Sequence, residues 1–180
     1  EKDGQKHYAI LVETLAQKIL SRVSEEVECL GKCKGDALAE AQLTYRHPFM
    51  DRTSPLVTAD YVTFEDGTGL VHTAPGHGED DFQTGRREGL DVYCPVRADG
   101  TFDKSVPTWL RGKDVWEGND LVVEQLEQSG HLFLSEKFSH SYPHDWRSKT
   151  PTIFRATQQW FIPVNKPFGG EEKSLRERAL

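Results

Sequence analysis

The sequence predicts an α+β fold in which short strands and long loops surround a few peripheral helices. Three observations lead there. Two Asp-Gly pairs, Asp66-Gly67 and Asp99-Gly100, lie between alternating apolar and polar runs, the pattern of β-hairpins. Four segments carry helix signals, and Pro95, Pro107 and Gly112 interrupt the chain too often for long strands. The 180 residues are 36% hydrophobic without an apolar run near twenty, which fits one globular domain and neither a membrane span nor a signal peptide.

Taken in order, residues 1–5 read as a turn, 8–12 as a strand, and 14–23 as an amphipathic helix with Leu15, Ile19, Leu20 and Val23 on one side. Residues 56–64 alternate, turn at Asp66-Gly67 and return through 68–73, which would deliver His72 to a strand end at the rim of a sheet. Leu70 and Val71 read as the buried end of that strand, and Pro75, Gly76 and Gly78 forbid its continuation. A helix then runs through Glu88 to a stop at Gly89, with Glu79, Asp80 and Asp81 suited to its positive first turn. Val96 and Phe102 flank the second hairpin turn. Asn119 is the expected cap of a helix to Ser129, closed by Gly130, and residues 131–138 alternate as a strand does. Beyond Val164, Pro167, Gly169 and Gly170 break the pattern before a polar helical segment over 171–180.

The run from Gly67 to Phe82 places two imidazoles and three carboxylates in one short turn, and three readings fit it. His72 and His77 satisfy loop backbone while the acidic residues complement a helix dipole. Alternatively the imidazoles and carboxylates ligate a metal, although neither HExxH nor a CxxC pair is present. In the third reading the loop lines a pocket where one ionised carboxylate grips a cationic ligand.

As it stands, Gly67-Thr68-Gly69-Leu70-Val71-His72-Thr73-Ala74-Pro75-Gly76-His77-Gly78-Glu79-Asp80-Asp81-Phe82 resembles the editing insertion of class I isoleucyl-tRNA synthetases, which hydrolyses mischarged tRNA. The resemblance extends upstream to His47-Pro48-Phe49-Met50. Downstream it includes Ser141-Tyr142-Pro143-His144-Asp145-Trp146-Arg147, Lys149-Thr150-Pro151, Phe154-Arg155-Ala156-Thr157 and Gln159-Trp160-Phe161, so it spans nearly the whole chain. Valyl and leucyl enzymes carry related insertions, but His72 and His77-Gly78 look like the isoleucyl version.

What the resemblance implies is a β-rich editing fold, a barrel-like mixed sheet with peripheral helices, over residues 1–157. Residues 158–180 would lead back toward the synthetase catalytic domain. It implies that His72 lines the amino-acid pocket and that Asp81 binds the substrate's α-ammonium group, these two being the candidate catalytic residues. His77, Gly76 and Gly78 join them as candidate substrate-binding residues, and Asp80 and Glu79 keep a first-turn structural part. The family's threonine-rich segment, whose hydroxyls face the scissile ester, has no counterpart in this chain. The expectation is therefore a piece of a larger enzyme with a strand and one pocket wall upstream, and with lower stability than the intact insertion. The implied reaction is hydrolysis by water of the ester joining valine to tRNA(Ile). The tRNA 3′ acceptor end, the valine moiety and the parent catalytic domain are the implied partners. No metal or other cofactor is implied for the editing site, the parent enzyme using ATP and magnesium. Alternatives are a binding module that docks the acceptor end without turnover, the editing domain of a valyl or leucyl relative, and a metal-dependent hydrolase.

The formal charge of −7 excludes a protein whose main business is coating nucleic-acid backbone. Basic residues gather locally in Arg86-Arg87 and Arg147-Ser148-Lys149, read either as solvated faces or as contacts to acceptor-end phosphates. Cys29, Cys33 and Cys94 are few and lack a second ligand pair, which argues against structural zinc and fits the cytoplasm, or an organelle after transit-peptide removal. Trp109, Trp116, Trp146 and Trp160 are scattered, which suits packing better than a stacking surface for RNA. His140 and His144 read as structural.

Overall fold

Every described helix carries an acidic residue in its first turn, three carry basic residues in the last turn and two have capping side chains. A computed structural model describes residues 6–65, 67–137 and 139–180. In order these form helix α1 (Glu13–Leu20), helix α2 (Gly35–Glu40), strands β1 (Thr44–Arg46) and β2 (Thr53–Pro55), and helices α3 (Glu79–Glu88), α4 (Val115–Gln128) and α5 (Leu175–Ala179). β1 and β2 pair antiparallel in the register Thr44 with Pro55, Tyr45 with Ser54 and Arg46 with Thr53. Among the described residues this two-stranded ladder is the whole regular sheet, so the chain is mixed α and β, and no barrel-like sheet is seen among those residues.

The centre of packing lies at the second predicted hairpin. Asp99-Gly100 does turn the chain: Arg97 N–H donates to Thr101 O at 2.8 Å and Val96 bridges Phe102. Gly100 sits at φ 83°, where a side chain would be strained, and its carbonyl accepts Val115 N–H at the start of α4. Val96, Val106 and Leu110 are the buried apolar residues of this unit. Gly118 of α4 lets the helix lie against Phe102, since a Cβ there would stand 2.6 Å from that ring. Arg155 Nε donates to Val96 O at 3.0 Å and ties the 151–156 segment to the same unit.

Several elements differ from expectation for identifiable reasons. α4 starts at Val115 because Asp114 is the working cap, its carboxylate accepting Trp116 N–H at 2.8 Å, while Asn119 falls a turn inside the helix. α1 ends at Leu20, and residues 21–23 continue as tighter i→i+3 turns. Of the polar C-terminal segment only Leu175–Ala179 is helical, held by a capping box between Ser174 and Glu177. Residues 8–12, 56–64, 68–73 and 131–137 form no ladder: alternation supplies a side-chain period, but a strand also needs a partner for its backbone groups. Leu70 and Val71, expected to be buried, are 45% and 56% exposed. The expected turn over residues 1–5, Asp66 and Phe138 lie outside the described residues.

The accessible area, 14914 Å², is about 1.7 times that of a compact monomer of 20.4 kDa. Large apolar side chains therefore meet solvent, Leu180, Trp160 and Phe161 most of all. No helix among the described residues is long and apolar enough to cross a membrane.

The close approach at Gly118 predicts that Gly118→Ala destabilises the chain by about 1–3 kcal/mol through overpacking against Phe102 and Leu110. Gly35→Ala, at a helical position with nothing within 4 Å, is expected to gain about 0.5–1 kcal/mol instead. Urea midpoints of the two variants measure the contrast, and equal shifts of the same sign would contradict it.

Candidate functional site

Gly78, in an extended conformation, is the N-cap of α3, and Glu79, Asp80 and Asp81 fill its first turn as expected. Arg86 and Arg87 occupy the last turn, and Gly89 closes it at φ 68°. Arg87 reaches out to the Thr58 carbonyl and so ties the helix to the 56–64 segment. Ahead of the helix, the 74–78 turn is clamped on two sides. Pro75 packs on Gly85, where a Cβ would stand 2.7 Å from the proline ring. A Cβ on buried Gly76 would meet the Tyr93 carbonyl oxygen at 2.2 Å.

Asp81 is half-buried at the head of this turn. Its Oδ2 accepts Ala74 N–H at 3.2 Å and its Oδ1 accepts the Tyr61 hydroxyl at 3.4 Å, a longer contact. Tyr61 Oη and Thr73 Oγ1 are 3.2 Å apart. With the tyrosine proton given to Asp81, the threonine hydroxyl is the donor in that pair, so a short relay of hydroxyls ends on the carboxylate. Gly78 leaves room for it: a Cβ there would stand 3.0 Å from Asp81 Oδ2. Among the described residues Asp81 makes no ion pair. A carboxylate fixed by two neutral donors has spare lone pairs for a further donor.

His72 is exposed over much of its surface, yet its ring has neighbours. It meets the His47 ring edge-on at 6.5 Å between centroids, and His47 in turn meets Phe49 at 4.5 Å and Phe49 meets Trp109 at 5.4 Å. His47 Nδ1 accepts both Phe49 N–H at 3.3 Å and Met50 N–H at 3.2 Å, which requires the unprotonated nitrogen there. Burial lowers the pKa of His47 from its ordinary value, with Arg52 and His72 adding to the shift. Removal of neighbouring water lowers that of His72 as well, assisted by Arg52 and opposed by Asp81. Both rings are neutral at neutral pH, so neither repels a cation bound at Asp81.

His77 goes elsewhere. Its Nδ1 bonds the Phe154 carbonyl at 2.9 Å, and its ring lines an open groove of about 210 Å³ with Trp116, Asn119, Tyr142 and Ile153. Gly76 O accepts Ala156 N–H at 2.7 Å, so Gly76 and His77 together anchor the 154–156 segment. The structure thus gathers Asp81, His72 and Gly78 and turns His77 to a separate face. Sequence reasoning missed Tyr61, His47 and Arg52. His47 stood in a quoted motif, but Tyr61 and Arg52 are single polar residues without a spacing signal.

Arg147 stacks on the Trp146 ring at 4.6 Å in a turn built on Asp145, whose Oδ1 accepts Arg147 N–H and Ser148 N–H. Arg86 lies over Phe82 at 6.0 Å. Among the described residues no three His, Cys, Asp or Glu side chains are grouped as metal ligands are.

Because His47 and His72 titrate below the histidine value of 6.5 when folded, the unfolded chain takes up protons first as pH falls. Stability contributed by the neutral rings is complete above about pH 6.5 and is lost below it, through the lowered folded values. The carboxylates held low, Asp99 by Thr101 and Asp103 by Ser105, act only below about pH 4. The denaturation midpoint is therefore expected to fall between pH 7.5 and 5. The double variant His47→Gln/His72→Gln should flatten that fall, and an unchanged slope would contradict the assignment.

No protein-family model matches the chain. Among curated proteins it is similar to the isoleucine–tRNA ligase of Fervidobacterium nodosum, 51% identical over 159 residues that make up 88% of this chain and 17% of the ligase. It is 43% identical over 181 residues to the Pseudomonas paraeruginosa isoleucine–tRNA ligase, covering 99% of this chain and 19% of the relative. The Shewanella sediminis isoleucine–tRNA ligase is 45% identical over 180 residues, covering 99% and 18% respectively. The chain thus spans less than a fifth of the length of these relatives.

Proposed function

From the premise that this chain is homologous to a segment of isoleucine–tRNA ligases, we propose that it is their post-transfer editing domain. In this reading it hydrolyses the ester of valine mischarged onto tRNA(Ile). The observation that carries the reading is the carboxylate of Asp81, held by Ala74 N–H and the Tyr61 hydroxyl, free of any ion pair among the described residues, beside a neutral His72. A synthetic pocket cannot strongly reject a substrate one methylene smaller than its own, isoleucine against valine being the standard instance of that limit. A second site that sorts by size in reverse removes the error.

Three tasks follow. Asp81 receives the α-ammonium group by a charge-assisted hydrogen bond and fixes the ester in one orientation. His72, a stiff ring backed by His47, crowds the extra methylene of isoleucine. Water attacks the ester carbonyl, the bond to the ribose oxygen breaks, and valine leaves as the free amino acid. An aminoacyl ester is reactive enough for orientation and electrostatic stabilisation to carry this step, so the reading assigns no metal or cofactor to the site. ATP and magnesium belong to ligation in the parent enzyme. The tRNA acceptor end is the partner, met by the local basic groups at Arg147 and Arg86 rather than by a broadly basic face. The same reading places the protein in the cytoplasm.

In a full-length isoleucine–tRNA ligase carrying this segment, Asp81→Ala should slow hydrolysis of Val-tRNA(Ile) roughly ten- to hundredfold, the loss of one charge-assisted contact. His72→Ala should instead begin to hydrolyse Ile-tRNA(Ile). Deacylation assays on both charged tRNAs check this. Near-normal turnover of Val-tRNA by the Asp81 variant would remove the anchoring role, and an Ile-tRNA spared by the His72 variant would remove the size wall. Binding of Val-tRNA to the unaltered segment without turnover would point to the docking module.

A further inference from the structure

Arg52 is half-buried, and among the described residues no carboxylate pairs with it. Its Nε is buried without a hydrogen-bond partner, and among the described residues its guanidinium makes no ion pair. Burying such a donor unpaired is costly, and the chain keeps it in place. The guanidinium lies over the Tyr93 ring, 5.8 Å from its centroid, and the Arg52 carbonyl accepts His47 N–H at 2.8 Å across the β1–β2 loop. That loop is the one whose His47 ring meets His72, and the next residue, Thr73, shares the Tyr61 hydroxyl with Asp81. Arg52 and Asp81 thus stand at the two ends of one continuous set of contacts, with neutral His47 and His72 between them. Both ends also act electrostatically on His72, with opposite sign.

A cation and an anion flanking neutral rings suit a zwitterion. We propose that Arg52 binds the carboxylate of the amino acid whose ammonium group Asp81 holds, so that the site reads both ends of an α-amino acid. The guanidinium fork can pair two oxygens at once, and among the described residues it is committed to no carboxylate. Before hydrolysis the same donors face the ester carbonyl, and after it they face the released carboxylate. This inference rests on the editing reading for the role of Asp81 but adds a residue to it.

The test is a shift titration of the 180-residue chain, ¹⁵N-labelled, with L-valine, with L-valinol, which keeps the ammonium and lacks the carboxylate, and with adenosine 5′-monophosphate. The unaltered chain is expected to bind valine roughly ten- to hundredfold more tightly than valinol. Arg52→Gln should bring the two affinities together, whereas Asp81→Asn should weaken both. A valine preference that survives in Arg52→Gln overturns the inference while leaving the editing reading intact. So does loss of nucleotide binding alone, which would make Arg52 a phosphate contact. If neither valine nor valinol binds the unaltered chain, the editing reading fails and the inference with it. Should Arg52→Gln lose its dispersed spectrum, Arg52→Lys is measured instead. Its valine-to-valinol ratio is expected to drop at least about threefold as the planar fork is lost, and an unchanged ratio again overturns the inference.

Discussion

Two hydrogen bonds to one carboxylate hold the site together. Ala74 N–H and the Tyr61 hydroxyl both end on Asp81, so the segment entering the turn and the first turn of α3 are fixed to each other by that side chain. The glycines around it are steric necessities. A side chain at Gly76 would clash with the Tyr93 carbonyl and push the turn away, and one at Gly78 would crowd the carboxylate itself. Both donors are neutral, so the carboxylate is positioned without an ion pair among the described residues.

Around this anion the chain keeps other charge in check. His47 Nδ1 is committed as an acceptor to two backbone N–H groups, and His72 is crowded and sits within the field of Arg52, so both rings hold their protons poorly. A protonated His72 would compete with an incoming ammonium group for the same carboxylate. In the proposed editing reading, neutral rings remove that competition and leave shape as their contribution. The packed unit around Val96, Val106 and Leu110 lies behind the turn: Pro95 and Val96 follow the Tyr93-Cys94 backbone on which Gly76 rests.

How much of this could be read from the sequence depended on whether the signal was local. α3 was legible because its cap, its acidic first turn and the glycine stop all lie within a dozen residues, and the Asp99-Gly100 turn was legible for the same reason. α4 was found but misplaced by a turn. Asp114 and Asn119 are both good caps, and Asp114 prevails because its backbone already bridges Thr101 in the hairpin. The strands were the weak point. Alternation at 56–64, 68–73 and 131–137 marks which side chains share a face, not whether another strand lies alongside, and β1 and β2 are too short to show a period at all. Of the site, Asp81, His72 and Gly78 came from one contiguous motif, whereas Tyr61 and Arg52 reach it only through the fold. His77, in the same motif, is drawn off by the Phe154 carbonyl, a contact seventy-seven residues away in sequence.

The similarity to isoleucine–tRNA ligases concerns a short part of those long proteins, so it places the segment in its parent without assigning the segment's own chemistry. The carboxylate of Asp81 does that, if it meets an amine. A crystal structure of the chain with valine joined through a non-hydrolysable amide to adenosine tests this most directly. The account predicts the valine ammonium within about 3 Å of an Asp81 carboxylate oxygen, with its side chain against His72. An ammonium pointing into solvent, or held by another residue with Asp81 still bonded only to Ala74 and Tyr61, would contradict it.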